Sequence, residues 1–268
     1  MKGRIFSVVG GMFLLTVCSK GSQSNVQAAP PSSSNTEPAP PPAAAPASSS
    51  NASAGGTITG KIKFTGTAPR NPVIDMSEEA ACKAKYKTAP PTEENVVAGP
   101  GNALANVFVY VKAGVPAGQK FPAPTTAVTL DQNGCRYHPH VLGIMVGQPL
   151  EIVNSDPVLH NIKAIAKANR PFNVSQPGAG MKTTRTFSAP EVMVNLECNV
   201  HGWMHAYAGV RPDPFFSVSK EDGSFTISGL PPGTYTIEAW HEKFGTQTAT
   251  VTIAGTESKT ANFTFAAH

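Results

Sequence analysis

The segment "CNVHGWM" (198–204) contains three metal-binding side chains at three-residue spacing. Cys198, His201 and Met204 offer a thiolate, an imidazole and a thioether, and ligands of this soft character favour copper. Each of these residue types is also common in protein cores. The spacing therefore raises the hypothesis of a copper site, with a packing role for all three residues as the alternative.

The elements that would position these side chains are β-strands. From Gly55 onward, short runs of alternating apolar and polar residues are separated by turn residues, a pattern typical of strands. The predicted strands are 57–64, 106–112, 127–130, 149–154, 192–198, 225–230, 234–240 and 248–254. A single helix is predicted over "DMSEEAACKAKY" (75–86), with Asp75 or Ser77 as its N-cap. We therefore predict an all-β fold built of sandwiches.

The charge of the chain narrows the class of partner. Only 14% of the 268 residues are charged, and the formal net charge is +4. Lys2 and Arg4 belong to the N-terminal segment, so the rest of the chain carries 4 − 2 = +2. A charge this small favours neither nucleic acid nor an acidic partner.

Residues 1–18 resemble a bacterial lipoprotein signal peptide. A basic start is followed by an apolar run too short to span a membrane, and "LLTVC" places Cys18 at the lipidated position of a lipobox. Val17 departs from the small residue usual before that Cys, so a plain secretory signal or an uncleaved anchor is the alternative. Residues 19–55 are rich in Ser, Pro and Ala, which predicts a disordered tether. We expect export, to the periplasm or to the outer membrane as a tethered lipoprotein.

Residues 125–211 resemble a cupredoxin, most closely the amicyanin/plastocyanin group. The resemblance rests on "YHPHVLGIMVGQPLEIVNSDPVLHNI" and "TFSAPEVMVNLECNVHGWMHAYAGV", two separated motifs in the family's order. It implies a Greek-key β-sandwich and one type 1 copper ion. It also implies that Asn161 braces the cysteine loop, with its backbone N–H directed at the sulfur. The ligands implied by the resemblance are His160, Cys198, His201 and Met204.

The ligand loop departs from amicyanin at two positions, and other histidines near it are weaker candidates for metal binding. Val200 and Gly202 stand where amicyanin has prolines around the ligand His, which loosens the loop without removing a ligand. His138 and His140 form a His-x-His pair with no Cys or carboxylate pattern nearby, so we expect a structural or surface role for both. We expect His205 to point away from the copper site.

Residues 212–268 resemble the carboxypeptidase regulatory-like (transthyretin-like) domain, a small β-sandwich with a structural or binding role. The resemblance rests on "KEDGSFTISGLPPGTYTIEAWHEKF", in which we assign Trp240 to packing. The segment is short for a complete sandwich, while residues 56–124 precede a cupredoxin that looks complete without them. We therefore hypothesise that 56–124 supply the first strands of this sandwich and that the cupredoxin is inserted into it.

The four cysteines divide among three roles. With Cys18 assigned to lipid and Cys198 to copper, Cys82 and Cys135 remain. Unassigned thiols of an exported protein tend to pair. We therefore expect a Cys82–Cys135 disulfide, which requires that the two Cα atoms approach closely.

The function we expect is single-electron transfer by a type 1 copper protein. Its partner would be a redox protein such as a c-type cytochrome or a dehydrogenase, with membrane contact only through the lipid anchor. No enzyme activity is expected, because the sequence lacks a second His-rich copper cluster, a Ser–His–Asp pattern and a zinc-protease signature. We expect the electron to leave through His201, with its ring edge near the surface. The alternatives are a surface binding or structural module with a vestigial cupredoxin, and periplasmic copper binding or delivery.

Overall fold

A computed structural model describes residues 55–267. The predicted signal peptide, the lipidation site Cys18 and the predicted tether up to residue 54 lie outside these residues. No helix in the described part of the chain is both long and apolar enough to cross a membrane.

The described residues form nineteen strands, one short α-helix and one 3₁₀ turn at Pro100–Asn102. The N-terminal segment contains β1 (Gly56–Thr65), α1 (Ala80–Lys83), β2 (Ala98–Gly99), β3 (Ala103–Leu104) and β4 (Phe108–Ala113). The central segment contains β5 (Val128–Gln132), β6 (Tyr137–His138), β7 (Val141–Met145), β8 (Leu150–Asn154), β9 (His160–Ile165), β10 (Phe172–Gln176), β11 (Met181–Arg185), β12 (Glu191–Glu197) and β13 (His205–Arg211). The C-terminal segment contains β14 (Phe216–Val218), β15 (Ser224–Leu230), β16 (Gly233–His241), β17 (Gly245–Ile253), β18 (Ser258–Thr260) and β19 (Phe263–Ala266). The predicted all-β fold is confirmed.

Strands β5–β13 form the central sandwich. A five-stranded sheet in the order β10-β9-β12-β13-β7 shares one apolar core with a four-stranded sheet in the order β11-β8-β5-β6. Period-two alternation builds this core, since Leu150, Ile152 and Asn154 of β8 face inward while the residues between them are half-buried. Leu130 of β5 and Leu196 of β12 approach the core from opposite sheets.

The remaining strands form a second sandwich, which we call the split sandwich because its strands lie on both sides of β5–β13 in the sequence. One sheet has the order β15-β1-β3-β2, with β18 and β19 pairing in parallel with β1, and the other has the order β14-β4-β16-β17. Strand β1 pairs with β15 and strand β4 with β16. Within residues 55–267 neither β1 nor β4 pairs with a strand of the central sandwich. Such a pairing would have contradicted the insertion hypothesis.

The two sandwiches meet at a third apolar cluster, which we call the junction. Phe108 and Tyr110 of β4 and Val141 of β7 are buried there, and Tyr207 packs on Trp240 with ring centroids 5.1 Å apart. Trp240 therefore has the packing role assigned to it from the sequence.

The helix predicted over 75–86 is wrong in extent, because only Ala80–Lys83 are helical. The side chain of Asp75 accepts a hydrogen bond from the N–H of Ser77, which forms a local turn instead of a helix cap. Ile74 and Met76 are both buried in the central core. Side chains two residues apart do not share one face of a helix, so burying this pair requires a non-helical backbone.

Candidate metal centre

Antiparallel pairing of β9 with β12 brings the first predicted ligand to the other three. Leu196 pairs with Ala164 and Glu197 with Lys163, so the start of β9 lies beside the end of β12. His160 is the first residue of β9, and Cys198 directly follows β12.

The segment between β12 and β13 is a loop that closes on itself. The N–H of Cys198 donates to the carbonyl of Met204 over 3.1 Å, and the N–H of Met204 donates to the carbonyl of His201 over 2.9 Å. Strand β13 then begins at His205 and pairs with β12, so both ends of the loop are fixed by one ladder. The three-residue spacing thus places Cys198, His201 and Met204 on one compact turn.

The donor atoms of His160, Cys198 and His201 converge. The two Nδ1 atoms of the histidines are 3.0 Å apart, the Cys198 sulfur is 3.9 Å from His201 Nδ1, and the three donors all lie within 4.8 Å of one another. All three residues are buried, and Met204 is buried in the same core as Cys198. The structure therefore brings three of the predicted ligands together at one end of the central sandwich, with Met204 on the same loop.

The surroundings of the Cys198 sulfur favour the thiolate. Backbone N–H groups of Val200 and His201 donate to the sulfur, each over 3.4 Å. Burial raises the pKa of the thiol, but hydrogen bonds from His160, His201 and the Asn161 backbone outweigh it and lower the pKa to about 5. A thiolate is the form of cysteine that binds metals.

Asp156 fixes the orientation of His160. The buried Asp156 carboxylate accepts hydrogen bonds from His160 Nε2 over 2.9 Å, from the Lys85 ammonium over 2.5 Å, and from the N–H groups of Gly134 and Cys135. Burial raises its pKa, but these bonds, led by that from His160, hold the pKa well below its usual range. An ionised Asp156 keeps the His160 proton on Nε2, so Nδ1 is free to face the other donors. The sequence reasoning gave Asp156 no role, although "NSDPVLH" contains it.

Asn161 braces the cysteine loop with both its side chain and its backbone. Its Oδ1 accepts a hydrogen bond from the N–H of Asn199 over 2.6 Å and lies 3.2 Å from the Cys198 sulfur. Its backbone N–H is one of the groups that lower the Cys198 pKa. Asn161 therefore connects the start of β9 directly to the loop that follows β12.

A disulfide covers the outer edge of His201. Cys82 and Cys135 are bonded, with Cα atoms 5.6 Å apart, and the Cys82 sulfur lies 3.8 Å from His201 Nε2. Trp203 packs against the His201 ring and donates from its indole N–H to the Cys135 carbonyl. His201 is only 1% exposed. The expectation of a His201 ring edge near the surface is therefore wrong, because the segment around α1 lies over it.

The donor set fits a type 1 copper ion. Such sites combine two imidazoles and one thiolate with a weak axial thioether. His160, His201 and Cys198 supply the first three. The Nδ1 atoms of the two histidines face each other, while their Nε2 atoms face Asp156 and the Cys82 sulfur. Cys198 is a free cysteine, and Met204 is buried in the same loop between β12 and β13.

Comparisons with known proteins match parts of the chain. Residues 212–266 match the family model of the carboxypeptidase regulatory-like domain. A search of the curated proteins finds no match to the chain.

Similar solved structures include three copper proteins. A Cu-containing nitrite reductase from Thermus scotoductus SA-01 is 27% identical with a TM-score of 0.31, covering 38% of this chain and 26% of its own. A purple cupredoxin from Nitrosopumilus maritimus is 22% identical with a TM-score of 0.27, covering 31% of this chain and 97% of its own. An amicyanin variant in its Cu(I) form is 16% identical with a TM-score of 0.29, covering 40% of this chain and 99% of its own. This chain thus spans about a quarter of the nitrite reductase.

The other histidines singled out in the sequence have different surroundings. His138 is exposed and its ring contacts the carbonyl of Asn133, in agreement with a surface role. His140 is buried and pairs with Glu242, a residue of the regulatory-like domain. His205 is turned to the same carboxylate. The sequence reasoning missed this cluster, because Glu242 lies about a hundred residues from His140 and only the packing of the two sandwiches joins them.

Proposed function

We propose that this chain is an exported type 1 copper protein that carries single electrons between redox partners. The observation that carries the proposal is the convergence of three buried donors, His160, Cys198 and His201, around one point. Bound copper would supply a one-electron couple between Cu(II) and Cu(I). We propose no catalytic turnover for the chain.

The chain's own residues hold the donors in place. The closed loop after β12, the Asn161 brace and the Asp156–His160 bond each fix one donor before any metal arrives. A rigid donor set suits electron transfer because neither oxidation state then requires large movements of the ligands. Burial of all three donors favours a resident ion over copper that is delivered to other proteins.

The apolar surface beside the ligands suits a transient partner. Leu159 and Val200 directly precede the two ligand histidines and are 43% and 44% exposed. With His201 covered, these residues offer the surface through which an electron would pass. We propose that a redox protein such as a c-type cytochrome or a dehydrogenase docks there, through the small interface typical of weak redox complexes.

The place of the protein in the cell is proposed from the sequence. The signal segment, Cys18 and the Ser/Pro/Ala-rich tether support a lipoprotein in the periplasm or at the outer membrane. The lipid would be the chain's membrane contact, and the regulatory-like domain would give structural support to the copper domain.

Visible spectroscopy of the copper-loaded chain tests the proposed function. We expect an intense thiolate-to-copper band in the wild type, no such band in Cys198→Ser, and sharply weakened copper binding in His160→Ala. His138→Ala is the matched control, because that imidazole is exposed and outside the site, and it should keep the band. A colourless copper-bound wild type, or a coloured Cys198→Ser, would contradict the proposal.

A further inference from the structure

A second group of metal-binding side chains lies at the junction of the two sandwiches. His140 precedes β7, His205 begins β13, and Glu242 directly follows β16 of the regulatory-like domain. Their ligand atoms all lie within 4.8 Å of one another. None of the three belongs to the copper ligand set.

The geometry of this group resembles a metal site more than a single ion pair. His140 Nε2 contacts one oxygen of Glu242, and His205 Nε2 lies 3.7 Å from the other oxygen. The His140 and Glu242 side chains are only 3% and 6% exposed. Two imidazole nitrogens and a carboxylate therefore face one point, and only the His205 side chain is partly exposed.

The outer contact of His205 supports the same interpretation. Its Nδ1 lies 3.1 Å from the carbonyl of Trp203 and donates its proton there. That bond leaves Nε2 as the nitrogen that faces Glu242. A histidine that binds a metal through one nitrogen commonly donates from the other to a backbone carbonyl or a carboxylate.

We propose that His140, His205 and Glu242 bind one zinc ion. Zinc commonly takes two imidazoles and a carboxylate, with a fourth position for water or another ligand. Donors bound at about 2 Å from zinc lie roughly 3.3 Å from one another. The 3.7 Å separation of His205 and Glu242 would therefore close slightly, and the direct contact of His140 with Glu242 would open to admit the ion. A cleft of about 10 Å³ lies beside His140 and His205 on the side away from Glu242, and it has room for about one water molecule.

Zinc at this position would connect the two sandwiches. Two of its ligands come from the central sandwich and the third from the regulatory-like domain, so binding would favour the docked arrangement over separated sandwiches. The ion takes the place of protons shared between the imidazoles and the carboxylate, which are released on binding.

Metal analysis of the full chain, purified without a histidine tag, tests the proposal. The copper-loaded protein is equilibrated with zinc alone and then freed of unbound metal. We expect one zinc per chain in the wild type, with the visible band unchanged. Glu242→Gln and His205→Gln should each lower zinc affinity by roughly tenfold or more. His138→Gln is the matched control and should keep the full equivalent, since His138 is exposed and outside the cluster.

Three outcomes would overturn the proposal. These are a wild type without bound zinc, a Glu242→Gln variant with unchanged zinc affinity, and zinc that enters only by displacing the copper colour. Circular dichroism checks that each variant folds, and if Glu242→Gln does not, His205→Gln carries the test because its side chain is partly exposed. The test compares the zinc bound by the wild type with the zinc bound by Glu242→Gln. It therefore remains valid even if the chain does not form a blue copper site.

Discussion

At the residue scale, the candidate copper site depends on a carboxylate that is not itself a ligand in the proposed set. Asp156 holds four donors: one on His160, one on Lys85, and two backbone N–H groups of the turn at Gly134–Cys135. It thereby joins the start of β9, the segment after α1 and the disulfide turn. The orientation of His160 is set by this carboxylate.

We expect Asp156→Asn to lower copper affinity by roughly 10–100-fold. The amide keeps one acceptor oxygen but loses the charge that holds the His160 proton on Nε2. Competition with a copper chelator measures the change. Asp131→Asn is the control, because Asp131 accepts from the Ser155 hydroxyl at the edge of the same region and does not contact His160. Equal affinities in the two variants would show that Asp156 does not position the ligand.

The sequence revealed the ligands more readily than the groups that orient them. Cys198, His201 and Met204 are close in sequence, and their spacing is visible in one line of text. The contacts of Asp156 to Lys85 and of Glu242 to His140 join residues far apart in sequence. Such contacts form only when distant parts of the chain pack together, so no local sequence pattern predicts them.

At the scale of elements, period-two patterns located eight of the nineteen strands of the described residues and missed strands both at sheet edges and in the core. The eight predicted strands correspond to strands of the structure within a few residues. Strands β10 and β11 were not predicted from the pattern. Each ends its sheet, and their residues are mostly half-buried or exposed. An edge strand buries less surface, so its sequence carries a weaker alternation. Strands β7, β9 and β13 were missed for the opposite reason, because consecutive residues in them are buried and the alternation is lost.

The disulfide and the short helix α1 together form a cover over His201. Cys82 lies within α1 and is bonded to Cys135, which anchors a segment that otherwise has little regular structure. The bond closes a loop with a sequence separation of 53. A loop of this length predicts a stabilisation of about 4 kcal/mol.

We expect the double variant Cys82→Ala/Cys135→Ala to lose roughly that free energy of unfolding and to react faster with small oxidants. The cover would be held only by its apolar contacts, so solvent and oxidant would reach His201 more often. Chemical denaturation measures the first effect, and stopped-flow oxidation of the reduced copper protein measures the second. The wild type in its disulfide-bonded form is the control, and the visible band should be retained. An unchanged oxidation rate in a correctly folded double variant would show that the cover does not shield His201.

At the scale of the whole molecule, the sequence suggested an insertion but could not describe the junction. The suggestion came from the short length of the segment after the cupredoxin-like residues and from a cupredoxin that looked complete without residues 56–124. The junction depends on Gly143 of β7 and Gly209 of β13, which are partners in a parallel ladder. Phe108 and Phe216 of the split sandwich lie on these two glycines. A lone glycine in a strand pattern does not show which ring will cover it.

Gly209→Ala should therefore loosen the junction without changing the copper site. A Cβ at Gly209 would lie 2.3 Å from Phe108 Cζ, and overpacking of this kind costs about 1–3 kcal/mol. We expect the thermal midpoint to fall by several degrees, while the visible band of the copper-loaded protein stays. Gly178→Ala is the matched control, because a Cβ there meets nothing within 4 Å.

Adding Phe108→Leu to Gly209→Ala separates steric conflict from a general effect of the substitution. Leucine lacks the ring atoms that the new Cβ would meet, so the double variant should be more stable than the sum of the two single changes predicts. Calorimetry on the four proteins of the cycle measures this coupling. Strict additivity would mean that the Phe108 ring does not set the need for glycine at this position. A positive coupling would show that packing of the Phe108 ring directly on the Gly209 backbone helps to hold the two sandwiches together.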